Sequence, residues 1–132
     1  MKLHIQLDAT DGAARTGSIT TARGVLPTPL FMPVGTRASV KALDAADLEA
    51  MGIPLILANT YHLMLRPGSP LIADLGGLHR FMDWPGHVLT DSGGYQIFSL
   101  EPKVTDEGAT FRSTYDGTTE HLTPERAAQI QS

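Results

Sequence analysis

The segment Thr90-Asp91-Ser92-Gly93-Gly94-Tyr95-Gln96 gathers the residue types needed to hold a flat polar ring. A carboxylate at Asp91 can accept hydrogen bonds, or a proton, from ring N–H groups. Ser92 adds a hydroxyl. Gly93 and Gly94 let the backbone approach a ligand closely and reach φ values closed to other residues. Tyr95 offers an aromatic face for stacking. A planar, hydrogen-bonding ligand such as a purine suits the whole set. The same residues also suit an ordinary helix start, with Asp91 or Ser92 as the cap and the glycines as the turn. Composition does not choose between the two.

A second stretch, Asn59-Thr60-Tyr61-His62-Leu63-Met64-Leu65-Arg66-Pro67-Gly68, is also rich in polar side chains. Asn59 could orient Asp91 from a neighbouring strand end. His62 reads more simply as a structural hydrogen-bonding residue than as a ligand. Arg66 reads as one half of a salt bridge before it reads as a phosphate site. Val34-Gly35-Thr36 lets the chain turn. The five histidines, His4, His62, His79, His87 and His121, show no metal-ligand spacing on a helix, and there is no cysteine. No Walker-type phosphate loop and no dinucleotide fingerprint is present. We therefore expect no metal and no cofactor bound by this chain.

These loops need elements to position them. Residues 1–29 read as an antiparallel β cap. Leu3, Ile5 and Leu7 alternate with polar neighbours as in a half-buried strand. Thr10-Asp11-Gly12 and Arg23-Gly24 mark turns. Pro27, Pro29 and Pro33 confine that region to edge or irregular structure. Residues 30–101 read as three βα units. The run Leu30–Gly35 is the first strand. A helix follows, with Asp44 as N-cap, Asp47 in its first turn, a Leu48–Met51 stripe and Gly52 as stop. Pro54–Ala58 is the second strand. Ser69 and Pro70 open the next helix, Leu71, Ile72 and Leu75 give its buried face, and Gly76-Gly77 stops it. His87–Thr90 is the third strand. Residues 102–132 read as a β-hairpin insertion, with strands at Lys103–Thr105, Ala109–Arg112 and Glu120–Leu122 and a hairpin turn at Asp116-Gly117, then a helix opened by Thr123-Pro124-Glu125.

Apolar strands separated by helices imply parallel pairing. Their polar or glycine-rich ends match the rim where (β/α)8 barrels keep their active sites. We read the chain as α/β, the N-terminal part of a (β/α)8 TIM barrel in one partial domain, residues 1–132. A doubly wound sheet obeys a similar rule. About three of the eight strands of a closed barrel are visible, so we expect a truncated barrel.

Bulk properties exclude other classes. The 132 residues are 42% hydrophobic and 18% charged, which argues against disorder. The net charge of -4, with 10 scattered Lys and Arg, lacks the basic face of a self-sufficient nucleic-acid binder. No secretory or membrane-spanning apolar run occurs, so we expect a cytoplasmic protein with no membrane partner.

Four segments together resemble the bacterial tRNA-guanine transglycosylases, or queuine tRNA-ribosyltransferases. They are Thr28–Thr36, Leu57–Leu63, Arg66-Pro67-Gly68 and Leu89–Ser99. The resemblance runs along the whole chain. It implies a (β/α)8 barrel with a zinc-binding subdomain, a homodimer, and exchange of the wobble guanine of certain tRNAs for a 7-deazaguanine on the route to queuosine. It implies that Asp91 binds the base and accepts its proton. Ser92, Gly93, Gly94 and Tyr95 then form the substrate-binding loop, with Tyr95 stacked on the base and Asn59 beside Asp91. The family's nucleophilic aspartate and its zinc ligands match nothing here, and its main tRNA-gripping surface lies later. The resemblance thus implies that this chain alone does not exchange bases. The alternative is a non-catalytic product of the same family, a truncated remnant or a binding subunit.

Overall fold

The structure is a computed structural model and describes residues 3–132. The start of the expected cap, residues 1–2, lies outside the described residues. The chain opens with an antiparallel meander: β1 His4–Asp11, β2 Ala14–Thr21 and β3 Gly24–Thr28. Its register pairs Ile5 with Ile19 and Ile19 with Leu26. A bulge between Leu7 and Ala9 interrupts the β1 edge. Pro27 is tolerated because β3 is the other edge. The alternation in β1 is real, but burial is not: Ile5 is 72% exposed and Leu7 57%. Nothing among the described residues covers that face.

The first parallel strand is shorter than expected. Only Val34 bridges to Leu57, with Leu57 N–H donating to Pro33 and Gly35 N–H to Leu57. Prolines at 29 and 33 remove the donors a longer ladder needs. Helix α1, Ala45–Ala50, starts as its sequence dictates. Asp44 accepts from Asp47 N–H, and Asp47 returns the bond to Asp44 N–H. Leu48 is buried, whereas Met51 lies outside the stripe at the exposed C-cap.

Strand β4, Leu55–Ala58, runs through the centre. It leads into α2 Thr60–Leu65, α3 Ser69–Asp74 and α4 Leu78–Met82, then into β5 His87–Thr90, which pairs parallel with β4. The cap of α3 is Gly68, one residue before the expected Ser69. Its intended buried face is largely open, with Leu71 and Leu75 about half exposed. Strand β5 has a partner on one side only, so Leu89 is exposed too.

Helix α5, Gly94–Phe98, follows β5. The insertion forms the three expected strands as an antiparallel meander: β6 Lys103–Thr105, β7 Gly108–Arg112 and β8 Thr119–Leu122. Helix α6, Pro124–Ile130, closes the chain, with Thr123 Oγ1 capping Arg126 N–H.

The architecture is therefore mixed α/β, and the described residues form no closed barrel. Two apolar clusters hold it together. Leu48, Ile56 and Trp84 form one beneath β4. Tyr61, Met64, Ile97, Phe111 and Leu122 form the other, joining α2 and α5 to the inserted sheet. No helix among the described residues is long and apolar enough to cross a membrane.

Candidate functional site

Adjacent parallel strands place Asn59 and Asp91 side by side, because Ala58 pairs with Thr90. Residue 59 then follows one strand end and residue 91 the next. Asn59 Nδ2 donates to Asp91 Oδ2. Thr60 N–H donates to Asp91 Oδ1 at 2.9 Å, and Gly93 N–H to the same oxygen at 3.0 Å. Thr60 Oγ1 donates to the Asp91 carbonyl. Asn59 and Thr60 are both buried, and Asp91 is half-buried. The carboxylate is thus fixed by three donors before any ligand arrives.

The glycines divide the labour. Gly93 is the N-cap of α5 with φ 76°, a left-handed conformation. It lies against the Tyr61 backbone. Gly94 begins the helix, and its N–H reaches Ser92 Oγ at 3.3 Å. Tyr95 is 84% exposed, so its ring face is free. The cap of α5 is Gly93 where Asp91 or Ser92 was expected, because the Asp91 carboxylate turns back to Asn59 and Thr60.

Sequence reasoning passed over Thr60, although its backbone N–H and hydroxyl both hold Asp91. A short helix directly after a strand would have exposed that N–H. It also passed over Tyr115. The Tyr115 hydroxyl meets His62 Nδ1 at 2.9 Å, and its ring lies 4.9 Å from the Arg66 guanidinium. His62 is structural, as expected. Arg66 stacks on the Tyr115 ring where a salt bridge was expected.

Two cavities flank the site. One, of about 760 Å³, lies among α2, α3, β5 and α6 and is lined by Thr60, Met64, His79 and Thr90. The other, about 360 Å³ and mostly apolar, lies between α5 and the inserted sheet. Thr60 lines the first cavity and Ser92 and Gly94 line the second, while Asp91, Asn59 and Tyr95 lie in the wall of neither. Among the described residues no group of three His, Asp or Glu side chains gathers to hold a metal. The residues present do not fit the zinc that the resemblance implies.

Two histidines couple the fold to pH. Burial lowers the His62 pKa below its ordinary 6.5, Arg37 pushes the same way, and Asp91 opposes them. Burial also lowers that of His79, with Arg23 and His87 adding to it and a hydrogen bond at the Gly86 backbone opposing. A depressed folded-state pKa means the unfolded chain binds more protons below pH 6.5. The stabilisation is full above that value and is lost as pH falls through the folded pKa. We expect the urea midpoint to fall between about pH 7.5 and about pH 5, and the fall to shrink in His62→Gln and His79→Gln. A flat midpoint across that window would contradict this.

Residues 9–132 match the family described as Queuine tRNA-ribosyltransferase. The chain belongs to the queuine tRNA-ribosyltransferase family. It is 54% identical over 127 residues to the queuine tRNA-ribosyltransferase of Herpetosiphon aurantiacus, covering 95% of this chain and 32% of that protein. Against that of Novosphingobium aromaticivorans it is 54% identical over 132 residues, 98% of this chain and 35% of the other. Against that of Jannaschia sp. it is 56% identical over 128 residues, 96% and 34%. The chain spans about a third of the length of these queuine tRNA-ribosyltransferases. Asn59 and the Asp91–Tyr95 loop all fall inside the matched residues.

Proposed function

We propose that this chain carries the base-binding loop of a tRNA-guanine transglycosylase, the enzyme that exchanges the wobble guanine of tRNA for a 7-deazaguanine in queuosine biosynthesis. The observation that supports this reading is the held carboxylate of Asp91 beside the free ring of Tyr95. Asp91 accepts ring N–H groups and, in the exchange, the proton of the incoming base. Tyr95 stacks on the ring. Ser92, Gly93 and Gly94 keep the backbone low enough for close approach.

Acceptor capacity sets how the base is taken. A carboxylate offers about four lone-pair positions, and three are already used. One ring N–H can be accepted without disturbance. A purine offering both N1–H and an exocyclic amine must displace a donor. Asn59 is the one to yield, since its donor is a side chain, whereas Thr60 and Gly93 donate from the backbone. The base must also leave its stack to reach this rim.

Of the three parallel segments, only β5 ends in a carboxylate; the others end in Gly35-Thr36 and Asn59. A nucleophile for the ribose would come from elsewhere in a longer chain. The eight-stranded barrel, the homodimer, the zinc subdomain and the main tRNA-gripping surface belong to this same proposal, as does a cytoplasmic site of action. On this reading the chain binds the base but does not exchange it.

Titration of the chain with guanine and with 7-aminomethyl-7-deazaguanine, followed by NMR, tests the reading. Saturable shifts are expected at Gly93, Gly94 and Tyr95. Tyr95→Ala should weaken binding about tenfold, the worth of one base–aromatic stack. A well-dispersed spectrum without saturable shifts would overturn the base-binding role.

A further inference from the structure

Four contacts tie the β7–β8 loop, residues 113–118, to helix α2 and its C-cap Arg66. Tyr61 Oη accepts from Thr114 N–H at 3.2 Å and shares a hydrogen bond with Thr114 Oγ1 at 3.0 Å. Tyr115 Oη meets His62 Nδ1 at 2.9 Å. The Tyr115 ring lies under Arg66. The loop is braced by its own hydrogen bonds. Ser113 N–H bonds to Thr118, Gly117 N–H bonds to Ser113, and Asp116 Oδ1 accepts from Thr118 N–H and Oγ1.

What is tied down matters more than the tie. Tyr61 is 2% exposed, and its ring packs against His62 and Phe111. Its backbone is the surface against which Gly93 rests. The residue before it, Thr60, donates its N–H and its hydroxyl to Asp91. A shift of α2 would therefore move two of the donors that fix the Asp91 side chain and main chain, and would free Gly93 to follow.

We propose that the β7–β8 loop is a positioning strap for Asp91, acting through Tyr61 and His62. Tyr61, His62, Thr114 and Tyr115 are positioning residues; none touches the base. The inserted sheet then has a task at the site although its own residues lie off the rim. The importance of the strap for base exchange rests on the function proposed above, but its mechanical claim does not.

Amide hydrogen exchange in the intact chain tests it. Tyr61→Phe keeps the buried ring and removes only the hydroxyl. Thr60 and Gly93 amides should then exchange about tenfold faster, the worth of one lost hydrogen bond, while amides within the β1–β3 meander keep their rates. Thr114→Ala should do the same and Thr114→Ser should not. Tyr115→Phe gives an independent variant should Tyr61→Phe fold poorly. Faster exchange confined to Thr114, or a uniform rise across the whole chain, would overturn the proposal. A parallel guanine titration separates the two claims. If the unaltered chain binds no base, the functional reading falls while the exchange result still decides the strap.

Discussion

Asp91→Asn is expected to weaken guanine binding about a hundredfold, the upper range for loss of a charge-assisted hydrogen bond. The substitution keeps shape and removes charge. The new amide has one oxygen, which can still accept from Thr60 and Gly93 N–H. Its NH2 group faces Asn59 Nδ2, donor against donor. Asn59 can restore the pair by turning its own amide over, so the fold loses only about 1 kcal/mol. The base then meets an NH2 group where it needs an acceptor. Asp91→Ala differs, because it strands the buried donors of Asn59, Thr60 and Gly93 together. Its cost should reach about 3 kcal/mol in urea denaturation. The pair of variants separates binding from scaffold. Unchanged guanine affinity in a folded Asp91→Asn chain would remove Asp91 from the site.

Gly93→Ala should cost about 2–3 kcal/mol, more than any other single methyl added to this loop. The left-handed φ of 76° accounts for about 1–2 kcal/mol of that in a residue with a Cβ. The remainder is steric. The added carbon would sit 3.2 Å from Tyr61 N and 3.5 Å from Tyr61 Cα, and backbone atoms cannot rotate aside. Gly94→Ala is the matched control. Its Cβ would meet only Ser92 Oγ at 3.3 Å, an exposed side chain that can turn by giving up its long bond from Gly94 N–H, and its φ is not positive. That variant should be neutral or slightly stabilising, as alanine in a first helical turn usually is. Equal losses from both would show that the loop is rigid throughout and that the left-handed residue is not special.

Local chemistry made much of the fold legible from sequence. Asp44 with Asp47, Thr123 with Pro124, and Asp116 with Gly117 each specify their own structure within four residues, and each forms as read. Parallel pairing of β4 with β5 followed from two apolar runs separated by helices. Burial was less legible, because it depends on what lies outside a segment. Leu71, Leu75, Leu89 and Ile5 have the spacing of buried residues and face no partner among the described ones. The short helices α2 and α5 were hidden because five or six residues give too few turns for a 3.6 period to show. Asn59 beside Asp91 could be anticipated from strand order alone. Tyr115 could not, since it reaches His62 across 53 residues and no local pattern marks that contact.

The β1 edge has a consequence for how the chain behaves in bulk. Ile5 and Leu7 lie open on an outer strand, where unpaired backbone groups invite a second molecule to add to the sheet. The bulge after Leu7 bends that edge and spoils it as a template. Charge supplies the other defence, a net -4 near neutrality. Repulsion between molecules vanishes at the isoelectric point of about 5.6. Colloidal stability therefore falls on the acid side of neutrality, the same direction in which the lowered pKa values of His62 and His79 erode the fold. There, stickiness between molecules and loosening within each one rise together, and protein concentration becomes as important a variable as pH.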